Sequence, residues 1–492
     1  MKLDLINIVE RAQAHLERVA VRSENKDYTY QDLLNSSENI SLALLQGRKD
    51  LKEARIAFIV NPGFDYVAIQ WGIWRAGGVA VPLCVKHPYE SLKYVIEDTQ
   101  AKTIIHSDEY EPLVSKFNKE LLLNRKNVLA TSGYLPDIDE SRRAMILYTS
   151  GTTGNPKGVV STHANIEAQV TSLVEAWAWQ KEDRILNVLP LHHVHGIINA
   201  TCSPLWSGAC VEFIPKFNPE SIFEVFCKGE VNIFMAVPTI YFKLIAHYNT
   251  MEEEAQKDVS DALNKFRFMV SGSAALPISV LEQWRAISGQ TLLERYGMTE
   301  MGMAISNPYE GERKPGYIGQ ALPKVTVRLA DEEENEITDG SQGEIQIKGP
   351  NVFKEYWQKP EATTETFTVD GWFKTGDIAV FEEGAYRILG RNSVDIIKSG
   401  GYKISALEIE EVLRKYPGIK DCGVVGVPDD EWGEIIGASL IAKESEIDLK
   451  ALNTWLKEKL PNYKMPRKYI FQEDLPRNVM GKVTKKELKK LL

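Results

Sequence analysis

Short apolar runs alternate with helix-period segments through most of the chain. "ARIAFIV" is followed by "DYVAIQWGIWRAG", and "VNIFMAVP" by "TIYFKLIAHY". Strand-length runs separated by amphipathic helices are what a parallel sheet with helical crossovers requires, so the pattern predicts an α/β fold of helix-covered sheets. With 492 residues the chain exceeds one compact core and should hold two or more domains. From about Lys324 the texture changes. "VTVRLADEEENEITDGSQGEIQIKGP" alternates with period two and is punctuated by Asp-Gly and Gln-Gly, which predicts antiparallel hairpins or a small barrel. From about Asn392 a smaller α+β unit follows, with "DCGVVGVPD" and "EIIGASLIAKE" as strands and "DLKALNTWLKEKL" as a helix. There is no internal repeat and no low-complexity segment.

The formal net charge of −10 argues against a nucleic-acid-binding surface as the main business of the molecule. The positive charge is uneven: residues 392–492 carry a net +2 and the rest −12. Five scattered cysteines without C-x-x-C spacing indicate free thiols in a reducing compartment, not a disulfide framework or a zinc site. The first residues lack the apolar core of a signal peptide, and Asp4, Glu10 and Glu17 are wrong for a transit peptide. No apolar run approaches the ~20 residues of a membrane span. A cytosolic protein is expected.

"YTSGTTGNPKGVV", Tyr148 to Val160, crowds hydroxyls and glycines into one loop before a lysine, directly after the apolar run Ala144 to Leu147. Small residues let backbone N–H groups approach a ligand, and hydroxyls with a lysine add donors for an anion. The Walker-type spacing is absent: Pro156 stands where its second glycine would be, and Gly158 follows Lys157 where a hydroxyl would be needed. Four further stretches carry chemistry. "ERYGMTE" offers an aromatic face at Tyr296, a hydroxyl at Thr299 and a carboxylate at Glu300, suited to a purine, a phosphate and a magnesium ion. "GWFKTGDIA" is expected to present Asp377 in a tight turn, where it could accept both ribose hydroxyls. "GRNSVDIIKSGGYKIS" carries Arg391 beside the composition break, and "PRNVMGKVTKKEL" sets Lys482 in a glycine-bearing turn. Singly, each has a duller alternative as a helix cap, a surface ion pair or a solvated lysine.

Together and in this order, over essentially the whole chain, these motifs resemble the adenylate-forming enzymes: acyl-CoA synthetases, firefly luciferase and the adenylation domains of peptide synthetases. The resemblance implies a large N-terminal domain, residues 1–391, that binds ATP and acid, and a small mobile C-terminal domain, residues 392–492, that carries a catalytic lysine. It implies that Thr149, Ser150, Gly151, Thr152, Thr153, Gly154 and Lys157 hold the β- and γ-phosphates, that Thr299 binds the α-phosphate and that Glu300 ligates Mg2+. Asp377 would take the ribose hydroxyls with Arg391 beside it, and Gly272, Ser273, Ala274 and Tyr296 would line the adenine. Lys482 would bridge the acid carboxylate and the α-phosphate while the acyl-adenylate forms. For the attack of coenzyme A the small domain would then rotate, with Gly401 lining the pantetheine tunnel. The sequence departs from the family pattern at the hinge, where Ser393 replaces the usual Asp or Lys.

The acid is read from Arg295. Most relatives that take fatty or aromatic acids have an uncharged residue before "YGMTE", and a buried arginine asks for an anion it can grip with two bonds. His193 and His195 in "LPLHHVHG" and Ser271 in "VSGSAALP" would share the pocket. These stretches resemble the malonyl-CoA synthetase branch and imply malonyl-CoA formation from malonate, ATP and CoA, with methylmalonate tolerated. The alternatives are a synthetase for medium or long monocarboxylic acids, an adenylation module that loads a carrier protein, and an inactive nucleotide-binding regulator. In a bland alternative Arg295 pairs with Glu294 or another internal acid.

Overall fold

The computed structural model describes residues 6–128, 132–149, 156–214, 216–392, 394–400, 402–429, 431–477 and 482–492. The alternating part of the chain builds two large sheets. In the nine-stranded sheet the parallel run Cys210–Phe213, Arg184–Asn187, Ile233–Ala236, Phe268–Ser271 and Leu293–Met298 forms the centre, and Gly302–Ser306 returns antiparallel to Leu293–Met298. The seven-stranded sheet has Val79–Pro82, Arg55–Ile59 and Thr103–His106 in parallel at its core. At one side Arg143–Thr149 and Lys157–Thr162 form an antiparallel hairpin, and the two-residue strand Glu355–Tyr356 pairs onto that hairpin. Ile233–Ala236 and Phe268–Ser271 are buried along their whole length because helices cover them, and Trp71, Trp74, Trp177 and Trp284 are fully enclosed.

The period-two region forms a four-stranded antiparallel sheet, in which Thr326–Ala330, Gly343–Lys348, Phe373–Glu382 and Ala385–Arg391 follow one another. Beyond it lies a five-stranded sheet of Ile396–Ser399, Tyr402–Ser405, Asp421–Asp429, Gly433–Ile441 and Lys468–Gln472, with the helices Ala406–Leu413 and Leu449–Lys457. This unit has an apolar core of its own, built around Ile404, Leu413, Val424, Leu440 and Leu452. The sequence reading of strands at 421–441 and a helix near 449–457 matches the elements found.

Candidate active site

The site lies beyond the carboxyl ends of the parallel strands Phe268–Ser271 and Leu293–Met298, where an open α/β sheet leaves room for ligands. Successive side chains on a strand point to opposite faces, so Glu294 and Arg295 part company. Glu294 accepts the Gly316 N–H at 3.0 Å. Its burial, reinforced by the nearby charge of Glu411, pushes its pKa up to about 8. Arg295 is 4% exposed. Its Nη2 donates to Ser273 Oγ at 3.3 Å, its Nε has no partner, and among the described residues no carboxylate pairs with it. Burial alone pushes its pKa down to about 9. A Cβ at Gly272 would lie 2.5 Å from the Arg295 Cζ, so the guanidinium occupies space that only a glycine leaves open. The alternative pairing of Arg295 with Glu294 is therefore not what forms.

His195 opens a π-helical segment, His195–Cys202, and its Nδ1 lies 3.1 Å from the same Ser273 Oγ. Its Nε2, the Nε2 of His193 and the Ser271 hydroxyl are buried without partners. Burial pushes the His193 pKa down to about 4 and that of His195 further still, aided by the positive charges of Arg295 and Lys482, so both rings are neutral at physiological pH. Buried polar groups in a finished core are nearly always hydrogen-bonded. Arg295, His193, His195 and Ser271 each carry a buried polar atom without a partner among the described residues, which is what a polar ligand site would require. Sequence reasoning overlooked His192 and Asn199. The His192 ring lies 4.0 Å from that of His193, and both side-chain polar atoms of Asn199 are buried and unpartnered. The run of three histidines within four residues was the available signal for His192. For Asn199 there was none, since π-helical winding is not visible in a residue pattern.

On the adjoining wall Asp377 gathers two residues of the nucleotide motifs. Tyr296 donates to Asp377 Oδ2 at 2.6 Å, and Arg391 Nε donates to Oδ1 at 2.9 Å. Asp377 and Arg391 are direct cross-strand partners, which is why residues 14 apart meet. The expected tight turn is not found at Asp377. It lies inside the strand Phe373–Glu382, where Gly376 at φ +73° and the bulge after Ile378 locally bend the chain. Burial opposes the Arg391 charge, but Asp377 outweighs it and leaves the pKa raised.

Glu300 follows in the turn after Met298, with Thr299 half-buried before it. Its Oε1 accepts from the Tyr356 hydroxyl at 2.9 Å, and Lys157 Nζ sits 4.8 Å over the Tyr356 ring. Burial raises the Glu300 pKa, and Tyr356 offsets part of the rise. Tyr356 was absent from the sequence reading because only the pairing of Glu355–Tyr356 with Lys157–Thr162 brings it here. Thr149 faces Lys157 across the hairpin, and Ala274 is exposed. Ser150, Gly151, Thr152, Thr153, Gly154, Ser393 and Gly401 lie outside the described residues.

Lys482 reaches the same space from the small unit. Its side chain is open to solvent in area yet enclosed by protein on most sides, as befits a cleft. Its pKa is lowered by that enclosure and by Arg391 and Arg295, with Asp377 opposing. Lys485 fastens the segment that follows. It bonds Glu410 and the Val424 carbonyl and lies 3.6 Å from Asp395, which accepts the backbone N–H of Arg391. Among the described residues no group of three or more His, Cys, Asp or Glu side chains could hold a metal ion. Glu300 would contribute a single carboxylate, which suits a Mg2+ that keeps its waters and arrives with phosphates.

The chain matches the AMP-binding enzyme family over residues 8–357 and the AMP-binding enzyme C-terminal domain over residues 408–482. The mitochondrial malonate–CoA ligase ACSF3 of Homo sapiens is 44% identical over 531 residues, covering 98% of this chain and 91% of the relative. Malonate–CoA ligase of Arabidopsis thaliana is 41% identical, covering 97% and 86%. The crystal structure of ATP-bound MatB from Rhodopseudomonas palustris superposes with a TM-score of 0.90 at 32% identity, covering 99% of both chains.

Proposed function

Because the chain belongs to the AMP-binding enzyme family, we propose that it is an AMP-forming acid–CoA ligase that joins malonate to coenzyme A. A carboxylate is a poor acyl donor because its oxygen leaves badly. In the first step a malonate oxygen attacks the α-phosphorus of ATP and the bond to pyrophosphate breaks, giving malonyl-adenylate. In the second step the CoA sulfur attacks the acyl carbon, AMP departs and the thiol proton passes to solvent. Both partners of the first step are anions, so the site must supply fixed positive charge where they meet. Lys482, which shares the cleft with Arg391 and Arg295, has the position to do so.

The observation that carries the choice of acid is Arg295, a guanidinium buried with an unpartnered Nε and no carboxylate of the described chain to answer it. A second carboxylate on the substrate supplies that answer, and neutral His193 and His195 with Ser271 complete the grip. The same pocket should tolerate methylmalonate. On the nucleotide side Asp377 is held by Tyr296 and Arg391, with acceptor capacity left for ribose hydroxyls. Thr299 is assigned to the α-phosphate, the loop from Thr149 to Lys157 to the β- and γ-phosphates, and Gly401 to the pantetheine channel. Mg2+ enters with ATP as part of the substrate and screens its phosphates. Glu300, with one oxygen engaged by Tyr356, is the residue that fits it. The division into residues 1–391 and 392–492 is supported by the separate core of the small unit. The unpaired cysteines support a reducing compartment, of which the cytosol is our reading, and a role in fatty acid metabolism would follow from the product. No helix among the described residues is long and apolar enough to cross a membrane.

The test is CoA-dependent AMP release over a panel of mono- and dicarboxylic acids. Malonate should give the highest kcat/KM. A preference for butyrate or longer monocarboxylates would replace this reading with a general acyl-CoA synthetase.

A further inference from the structure

One serine stands between the two principal ligands of the acid pocket. Ser273 Oγ accepts from Arg295 Nη2 at 3.3 Å and lies 3.1 Å from His195 Nδ1. The residue is held at φ +68°, a backbone conformation that side chains other than glycine rarely adopt. Such a cost persists where surrounding structure enforces it, and here it aims a hydroxyl between a guanidinium and an imidazole.

Counting protons gives the consequence. A hydroxyl has one hydrogen to give and two lone pairs to offer. Arg295 can only donate, so it uses a lone pair of Ser273. His195 is neutral and carries a single ring proton. If that proton were on Nδ1, Ser273 would receive two donors, and its own hydrogen would have no partner among the bonds the described residues make. With the proton on Nε2, the chain runs from Arg295 to Ser273 to His195 with every bond satisfied, and the Nε2–H is left over. That Nε2 is buried and partnerless, as is Arg295 Nε–H, so both are donors awaiting an acceptor.

We propose that Ser273 is a positioning residue that fixes His195 in its Nε2–H form, so that Arg295 and His195 face the acid with hydrogen-bond donors alone and select a carboxylate over the corresponding carboxamide. This rests on the malonate reading of the pocket. A malonamate molecule has the shape of malonate, but its NH2 would meet N–H groups and leave a donor unpaired on each side, which a polar site rejects strongly.

Two measurements test it. In 15N-histidine-labelled protein without substrate, the His195 resonances, assigned by their loss in His195→Gln, should show a protonated Nε2 and a bare Nδ1. In steady-state assays Ser273→Ala should raise the KM for malonate about tenfold, lower the preference for malonate over malonamate by a similar factor, and move the KM for ATP less than about twofold. Ser273→Gly, which relieves the backbone strain but also lacks the hydroxyl, should match the alanine variant. A protonated Nδ1 in the wild type, or wild-type selectivity in Ser273→Gly, overturns the proposal. So does a rise in the ATP KM without loss of selectivity, which would return Ser273 to the adenine wall. The tautomer is read with no acid present, so a wild type that prefers butyrate would sink the malonate reading without bearing on the proton relay.

Discussion

Replacing Arg295 by leucine separates a residue kept for binding from one kept for folding. In the free protein the guanidinium is enclosed, and no carboxylate among the described residues pairs with it. A guanidinium keeps its proton in proteins, and burial pushes its pKa from 12.5 down to about 9, the direction expected when solvation is lost and not recovered. At 1.36 kcal/mol per pH unit this is about 5 kcal/mol. The sign is that of a charged form disfavoured by folding: the penalty stands in full below pH 9, which includes neutral pH. Leucine removes it, so the melting temperature of Arg295→Leu should equal or exceed that of the wild type, even though the shorter side chain leaves some space. Catalysis moves the other way. Malonate must now bring an unpaired carboxylate into a buried site, at about 3–5 kcal/mol. Its kcat/KM should therefore fall between about a hundredfold and a few thousandfold. Butyrate meets an apolar wall and should improve relative to malonate. The assay is AMP release with each acid, alongside a thermal melt in the absence of substrates. A lower melting temperature together with equal loss of malonate and butyrate activity would show that Arg295 supports the fold, and the dicarboxylate argument would fail.

Lys482→Ala should cut malonate-dependent pyrophosphate exchange by ~10²–10³ while leaving thioester formation from synthetic malonyl-adenylate largely intact; equal damage to both steps would rule out a role confined to adenylation. Tyr296→Phe removes one of the bonds that orient Asp377 and should raise the KM for ATP about tenfold with little effect on the KM for malonate, as measured by initial rates at varied ATP. Glu294→Gln keeps an acceptor for the Gly316 N–H but cannot ionise. The wild-type carboxyl has its pKa raised from 4.5 to about 8, so its contribution to stability is intact below pH 4.5 and is lost as pH rises to 8. The variant should therefore melt higher than the wild type at pH 8, with the gap closing toward pH 4.5.

Much of this was legible because the chemistry sits at strand ends. The run "LLERYGMTE" announces a buried strand and then a cluster of polar groups, and the strand Leu293–Met298 with Glu300 just beyond is what forms. Arg295 was informative for the same reason, since an arginine inside a buried strand has no routine explanation. Long-range pairing was not legible. Nothing near Tyr356 says that its two-residue strand adds to the Lys157–Thr162 hairpin and lays its ring under Lys157 and its hydroxyl on Glu300. Asp377 was expected in a turn because the glycine before it looks like punctuation, whereas that glycine bends a continuous strand. Ser273 was assigned to the adenine by its neighbours in the motif, and only three-dimensional placement puts its hydroxyl on Arg295 and His195.

The separate core of the small unit has a consequence for energy and solvent. Among the described residues none of its core side chains comes from the chain before Ile397, so if the unit turns to admit the thiol, as the family resemblance implies, the turn need not open that core to water. What such a turn would break is wetter: for example the Lys403–Glu332 pair, 2.7 Å long and exposed at both ends. Contacts of that kind are worth little each and weaken with dissolved salt. With such a turn, two orientations would lie close in free energy, and the ionic strength of the medium would become a setting that shifts time between making the adenylate and consuming it, with the melting behaviour of either core left where it was.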